Sequence, residues 1–330
     1  MRRFGPGETL VGILLALAAL SPFILPSQAW IGFAVNAVLI SVLAIAWNVT
    51  GGFCGQMSFG HAALYGTGAY AAAMLQVRLG VNPYVAALVG VAAGAAMGGF
   101  IGALAFRYGL RGSYFALVTL AFAEVLRILA SSFEITGAGS GLTLPFKPGL
   151  ANLQFTDRYA AYAFVLTLCL VALAVTAVIK GSRLGSNMVA VRENEEAAGA
   201  IGIDAFRVKV IAMVISGALA GMAGVAYLQI QLFIDAPIAY GSLISVEALL
   251  GPIIGGAGTL LGPIVGTIVL HVVGEIVKNG VGGAPGLNLV FYGVVLLLIL
   301  RFLPNGLMGL ANGLRWPARR AATAPAAEAR

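Results

Sequence analysis

The 330-residue chain is 60% hydrophobic and 9% charged, with a mean hydropathy of +0.98, values that exclude an ordinary soluble domain and point to an integral membrane protein. Its net charge of +7 invites a nucleic-acid reading, but no basic face interleaved with stacking aromatics appears, so no nucleic-acid partner is expected. Two cysteines, Cys54 and Cys169, and two histidines are too few for a disulfide framework or a transition-metal centre, and the cysteines fit buried small apolar positions.

A membrane helix needs about 20 apolar residues, and on that measure the chain predicts an all-α polytopic protein of about ten transmembrane helices. The predicted spans are residues 9–26, 30–49, 58–77, 84–106, 113–131, 159–179, 208–230, 243–256, 259–277 and 287–303. Arg2-Arg3, an apolar run and Ser27-Gln28-Ala29 resemble a cleavable signal peptide, but the run from Thr9 to Leu25 exceeds the usual apolar region of about 7–15 residues, so a retained first helix is expected. Alternating the spans leaves Arg78, Lys147, Arg158 and Lys278 on one side. The other side collects Arg2, Arg3, Arg107, Arg111, Lys180, Arg183, Arg192, Arg207, Lys209, Arg301, Arg315, Arg319, Arg320 and Arg330. The positive-inside rule then places both termini in the cytoplasm. One membrane domain over residues 1–312 is expected, with an outer loop near 132–158, an inner loop near 180–207, and a basic, disordered cytoplasmic tail over 313–330.

Glycines recur at helical intervals: Gly90, Gly94, Gly98 and Gly102 form a ladder, and Gly217/Gly221, Gly251/Gly255 and Gly258/Gly262/Gly266 repeat it. Such ladders let helix backbones approach closely, which matters where lipid supplies no hydrophobic drive between helices. "LLGPIIGGAGTLLGPIVG", residues 249–266, predicts a broken or half-length helix, and "TGGFCGQMSFGH", residues 50–61, predicts a second break before Gln56, Ser58 and His61. Interrupted segments in both halves of a transporter-sized chain point to a translocation path, for which Gln56, Ser58, His61 and Glu247 are candidates. His61 also fits a satisfied polar residue between helices.

Glu124, Arg127, Glu247, His271 and Glu275 fall in or beside spans, where an ionisable group is costly unless paired or wetted. Glu124 and Arg127, like Glu275 and Lys278, stand one helical turn apart and predict two pairs at an outer rim; an anchoring pair at a helix end is the plainer alternative. In the outer loop, Thr136, Gly137, Gly139 and Ser140 are candidates for an entrance whose backbone amides would meet a carboxylate. No Walker-type glycine loop, His-Glu-x-x-His or Gly-x-Ser-x-Gly appears, so no enzyme activity or bound cofactor is expected of this chain, and any coupling to ATP would belong to a partner.

The polar stretch "RENEEAAGAIGID", residues 192–204, predicts a two-turn helix. Asn194 suits the N-cap, Glu195 and Glu196 complement the positive helix start, and Gly202 suits the left-handed C-terminal position. Ala197, Ala198 and Ile201 give it a small apolar face, and Asp204 can cap the next span. It reads either as a groove-filler for a partner or as a solvated connector.

"EEAAGAIG" resembles the Glu-Ala-Ala-x-x-x-Gly loop of bacterial ABC-importer permeases. With "GQMSFGHAALYGTGAYAAA", "LRGSYFALVTLAFAEVLR", "TGAGSGL", "VEALLGPIIGGAGTLLGPIVG" and "RFLPNGLMGL", the chain is similar, from about residue 36 to 312, to LivM-type permeases of branched-chain amino acid importers. The resemblance implies a Type II-like permease fold in the bacterial inner membrane and a coupling role for Arg192, Asn194, Glu195, Glu196, Ala197, Ala198 and Gly202. It further implies a LivH-like second permease, two ATP-binding cassette subunits carrying ATP and Mg, and a periplasmic substrate-binding protein. The Ile-x-Leu-Pro found after this loop in many importer permeases is missing after Gly202. Expected cargo is leucine, isoleucine or valine, with other amino acids, amides or urea as relatives' alternatives. A secondary transporter or channel would share the hydropathy and glycine ladders, but would need an ion site at mid-membrane.

Overall fold

The computed structural model describes residues 28–280 and 306–313, together with isolated helical positions at Val290, Gly293, Val294 and Arg301. The expected spans at 9–26 and 287–303, the retained-helix reading and the tail lie outside those residues, apart from the isolated positions.

The described residues are helical almost throughout. Helix α1, Gln28–Trp47, runs into a π-helical turn, Asn48–Phe53. Then follow α2 (His61–Leu79), α3 (Pro83–Arg107) and α4 (Gly112–Ser132). Beyond a loop come α5 (Arg158–Gly181), the short α6 (Arg183–Glu193) and α7 (Glu195–Ala200), and the long α8 (Ala205–Gln231). A turn, α9 (Ala236–Tyr240), precedes α10 (Ser242–Gly255), which is followed by α11 (Gly262–Gly280) and α12 (Gly306–Gly313). Each of the expected spans within 28–280 has its helix. Among the described residues, six stretches are long and apolar enough to cross a membrane: Trp30–Phe53, Pro83–Arg107, Gly112–Ser132, Arg158–Gly181, Ala205–Gln231 and Ala236–Gly255. The last joins α9 to α10 across a break at Gly241. Helix α2 falls below that measure because His61, Thr67, Gln76, Arg78 and two tyrosines dilute its apolar content, and α11 qualifies only over a shorter apolar stretch, Gly262–Ile276.

The exception to the all-α expectation is a two-residue antiparallel pairing of β1 (Leu142–Thr143) with β2 (Phe233–Ile234), which clips the 133–157 loop to the end of α8. That loop and the α6–α7 segment lie at opposite ends of α4, α5 and α8, so the bundle has two chemically distinct ends.

The glycine ladder places the most extensive helix pairing among the described residues, α3 against α8. A Cβ at Gly94 would strike the Gly217 carbonyl oxygen, one at Gly98 the Met213 carbonyl, and one at Gly217 the Gly94 carbonyl. Helix α2 joins the same junction: a Cβ at Gly68 would come within 2.5 Å of the Gly221 Cα. Three helices thus meet backbone to backbone, with dispersion contacts replacing side-chain interdigitation. Gly98→Leu should lower the melting temperature of the detergent-solubilised protein, at a cost of about 1–3 kcal/mol or more for overpacking. Gly139→Ala, whose Cβ would meet nothing within 4 Å, should leave it unchanged. Equal melting curves for the two variants would contradict the packing.

Candidate functional site

Both predicted breaks occur, and they occur at the same end of the bundle. The first is the π-turn 48–53 and the irregular segment up to Gly60; the second is the turn 256–261 between α10 and α11. The Leu-Gly-Pro-Ile repeat therefore marks the two arms of a tight helical hairpin, in which a Cβ on Gly255 would strike the Gly262 carbonyl. Asn48 fastens one break to the other. Its Nδ2 donates to the Thr259 carbonyl at 2.8 Å and its Oδ1 accepts from the Gly258 amide at 2.8 Å. Asn48 is fully buried, so this amide-for-amide match satisfies groups that could not be left unpaired. Single π-turns inside α-helices are frequent at functional sites.

Arg192, at the end of α6, reaches the same node. Its Nη1 donates to the Gly52 carbonyl at 2.9 Å, while its Nη2 pairs with Glu193 at 2.7 Å. Only glycine fits beneath it: a Cβ on Gly55 would approach the Arg192 Cγ to 2.6 Å, and one on Gly258 would approach Nη1 to 2.9 Å.

Immediately after Arg192 the predicted short helix forms as α7. Asn194 Oδ1 accepts from the amides of Glu196 and Ala197, each at 3.0 Å, completing the N-cap. Gly202 is left-handed at φ 89°, and the bonds Gly202 N to Gly199 O and Ile203 N to Ala198 O close a Schellman motif. Asp204 caps α8, its Oδ1 accepting from the Arg207 amide at 3.1 Å. Ahead of α7, residues Arg183–Glu193 make a helix of their own, with Ser182 Oγ accepting from the Gly185 amide at its N-cap.

The faces of α7 divide differently from the sequence expectation. Ala198 is buried against the protein, whereas Glu196, Ala197 and Ala200 are exposed and Ile201 is 77% exposed. Glu195 turns inward and holds the Lys209 ammonium at 2.6 Å, with Arg111 Nε at 3.3 Å from the same oxygen. Lys209 is only 3% exposed and its ammonium lies 5.4 Å from the centre of the Phe106 ring. Sequence reasoning assigned Glu195 to the helix dipole and missed this anchor, because its partners lie on α8 and ahead of α4.

Ser58 and His61 form a closed knot near this end. His61 Nε2 donates to Ser216 Oγ at 2.8 Å, and that hydroxyl donates to the Ala46 carbonyl at 2.7 Å. Nδ1 lies within hydrogen-bond distance of Ser58 Oγ, at 3.2 Å. Of the two readings for His61, the satisfied interior residue fits this network. Gln56 is half-buried and bonds the Cys54 carbonyl at 3.2 Å. Cys54 and Cys169 are buried free thiols.

At the opposite end, Thr136, Gly137, Gly139 and Ser140 lie in two successive 3₁₀ turns. The amides of Thr136, Gly137, Ala138 and Ser140 donate to carbonyls within the loop instead of standing free for a carboxylate. Glu124 and Arg127 do pair, Nε to Oε2 at 2.9 Å. They stand on an exposed face of α4, with Glu124 roughly 12 Å short of the helix end at Ser132 by the 1.5 Å rise per residue, deeper than a rim. The Lys278 side chain lies outside the described residues.

Glu275 instead faces a cavity of about 270 Å³ between α1, α2, α8, α10 and α11, which it lines with Glu247 and His271. His271 Nδ1 donates to the Thr267 carbonyl at 3.0 Å. Sequence analysis singled out both glutamates and the histidine, but nothing local could bring them together.

The family model for "Branched-chain amino acid transport system / permease component" matches residues 30–300. The chain belongs to this family. It is 28% identical over 323 residues to the high-affinity branched-chain amino acid transport system permease protein LivM of Escherichia coli K12, covering 91% of this chain and 74% of that protein. It is also 26% identical over 292 residues to LivH of Salmonella typhimurium LT2, covering 82% of this chain and 91% of the relative. A probable LivH of Methanocaldococcus jannaschii is 25% identical, with coverage of 84% and 91%. No solved structure matches. The chain is thus a multi-pass membrane permease, and its α7 anchor can be weighed as part of one.

Removing either partner of the anchor should not be symmetric. Glu195→Ala strands the Lys209 ammonium in a buried position and should cost on the order of 3–5 kcal/mol. Lys209→Met leaves Glu195 with Arg111 and solvent, and should cost less. Thermal denaturation of the two variants and of the double variant checks this; a larger loss for Lys209→Met would refute the assignment.

Proposed function

We propose that this chain is the transmembrane permease subunit of an ABC importer in a bacterial inner membrane, moving branched-chain or related amino acids into the cytoplasm. ATP and Mg would be bound by partner subunits, and α7 would be the coupling helix against which the ATPases push. The observation that carries this is the construction of α7. It is a helix too short to be stable alone, yet it is capped at both ends, anchored inward by Glu195 and Ala198, and presents Glu196, Ala197 and Ile201 outward. A mere connector needs none of these features.

On this reading the α7 end is cytoplasmic, as are both termini, and the full chain has about ten spans in a Type II-like arrangement. The 133–157 loop then faces the periplasmic binding protein, with residues 136–140 at the entrance. An ion pair on the outward face of an apolar span is costly in lipid. The Glu124–Arg127 pair therefore supports a position for α4 against the LivH-like second permease and the outer vestibule.

Ile201→Asp and Gly202→Val test the reading, the first by placing a charge on the exposed docking face and the second by forcing a β-branched residue into φ 89°. Both variants should insert in the membrane at normal abundance, lose the ATPase subunits on affinity purification, and abolish ATP-driven leucine uptake. Normal ATPase stoichiometry and uptake in both would leave α7 a connector and defeat the proposal. Orientation is checked separately: in a chain lacking Cys54 and Cys169, Ala197→Cys should label with an impermeant thiol reagent only after the membrane is opened, and Gly139→Cys from outside in intact spheroplasts.

A further inference from the structure

Glu195 of α7 holds two cations on one carboxylate oxygen, and their surroundings differ. Lys209 of α8 stands 2.6 Å from Oε2 with its side chain 4% exposed. Arg111, just ahead of α4, approaches the same oxygen through Nε at 3.3 Å with its side chain 59% exposed. Breaking the first contact would strand a buried charge, so that contact is kept. An exposed pair contributes little to stability and breaks and re-forms readily. The two cations therefore tie α7 to two helices in two ways, to α8 rigidly and to the start of α4 reversibly.

The start of α4 is loosely made. Arg111 is its N-cap, in an extended conformation, and no side chain caps the helix there, whereas Asn82, Asp157 and Asp204 cap α3, α5 and α8. Gly109 and Gly112 flank Arg111 at φ 69° and 53°, and a Cβ on either would meet nothing within 4 Å. These two glycines serve the backbone turn rather than a close neighbour. One helical turn beyond Arg111, Phe115 is fully buried and its ring stacks on Phe106 of α3, with 4.8 Å between centroids. One turn further, Thr119 Oγ1 accepts from the Phe59 amide at 3.1 Å, and a Cβ on Gly60 would strike the Thr119 carbonyl. Among the described residues, α4 is also the least buried of the six long apolar stretches. A lightly packed helix is thus pinned at Phe115, touches the break at residues 55–60 through Thr119, and is gripped ahead of its first turn by Glu195.

We propose that Arg111 is a positioning residue for transport: it makes the start of α4 follow α7, so that displacement of the coupling helix tilts α4 about the Phe106–Phe115 stack and shifts Thr119 against the 55–60 break. The proposal rests on the importer reading above and adds to it a second route out of α7, separate from the Lys209 anchor. The weak pair suits this task because a contact that must change during each cycle cannot be one whose loss strands a buried charge.

The test uses the assembled importer, with its second permease, ATPases and binding protein, in proteoliposomes. Arg111→Gln should retain the ATPases and hydrolyse ATP within about twofold of the parent complex while leucine uptake falls about tenfold, a usual size for a coupling factor. Arg111→Lys should restore most of the uptake, because a long cationic side chain still reaches Glu195. Arg107→Gln, which removes another exposed cation one turn earlier, should change neither rate. Spin labels at Leu120→Cys and Val171→Cys, in a background lacking Cys54 and Cys169, report the position of α4 relative to α5. Vanadate trapping should change their distance in the parent and leave it unchanged in Arg111→Gln. Normal uptake by Arg111→Gln, in an assay where the parent transports, would overturn the assignment and leave the importer reading intact. Loss of the ATPases from Arg111→Gln would make Arg111 a docking contact, and a melting temperature well below that of Arg107→Gln would make it a structural one; either result overturns the positioning role. A parent complex that binds no ATPases would defeat the importer reading and this proposal together.

Discussion

The arrangement of this membrane domain hangs on the buried amide of Asn48. It sits in a π-helical turn, where the backbone ladder is locally out of phase, and it supplies one donor and one acceptor to the 256–261 turn at 2.8 Å each. Neither break could persist in an apolar bundle alone, because each frees backbone groups that lipid cannot satisfy. The Asn48 side chain satisfies two backbone groups of the second break, and Arg192 satisfies the Gly52 carbonyl of the first from the α6 side. The consequence is that the α6–α7 segment is tied directly to the π-turn after α1 and, through Asn48, to the α10–α11 hairpin.

The glycine junction complements this node. Where α3, α8 and α2 touch backbone to backbone, no side chain interlocks across the contact at Gly94, Gly217 and Gly221. Such a surface is smooth along the helix axis, so sliding requires less rearrangement of rotamers than a packed side-chain interface does. Lys209, near the start of α8, is clamped by Glu195 of α7. A push on α7 is therefore applied to a helix whose central contact resists separation, through dense backbone packing, more than it resists sliding.

Local chemistry was readable in the sequence where a single residue determines a backbone conformation. The Asn194 cap, the left-handed Gly202 and the Asp204 cap follow from the side chain or its absence, and the ladder from Gly90 to Gly102 follows from helical period alone. The breaks at 50–61 and 249–266 were legible as breaks, but their meeting was not, since Asn48 and Thr259 are joined only by the fold. Burial direction on short elements was equally hidden. A six-residue helix has too little periodicity to show that Ala198 faces inward and Ala197 outward. Glu275 was paired with Lys278 on spacing, a rule that cannot anticipate the cavity shared with Glu247. In the outer loop, glycine abundance suggests free amides, whereas the 3₁₀ turns use the Thr136, Gly137 and Ser140 amides internally.

Two helices connect the ends of the molecule. Helix α8 carries Lys209 at the α7 anchor, Gly217 and Gly221 at the junction, and Tyr227 at the cavity that Glu247 and Glu275 line. Helix α1 and its π-turn carry Asn48 at the node and Phe33 and Asn36 at the same cavity. The hairpin adds a third link, since α10 and α11 supply Glu247 and Glu275 above the turn that Asn48 holds. Among the walls of this cavity, α8 and α1 are thus fastened at their other ends to the α6–α7 segment, and α10 and α11 are fastened to α1 through Asn48. Coupling between distant sites needs an element with two arrangements that both sites bias. Here the elements are continuous helices, so a shift imposed at Glu195 or Arg192 must either be absorbed at the π-turn or appear as a change in the spacing between Tyr227, Asn36 and Glu247. On the α1 path the π-turn lies between the anchor and the cavity, so its stiffness decides whether the push arrives.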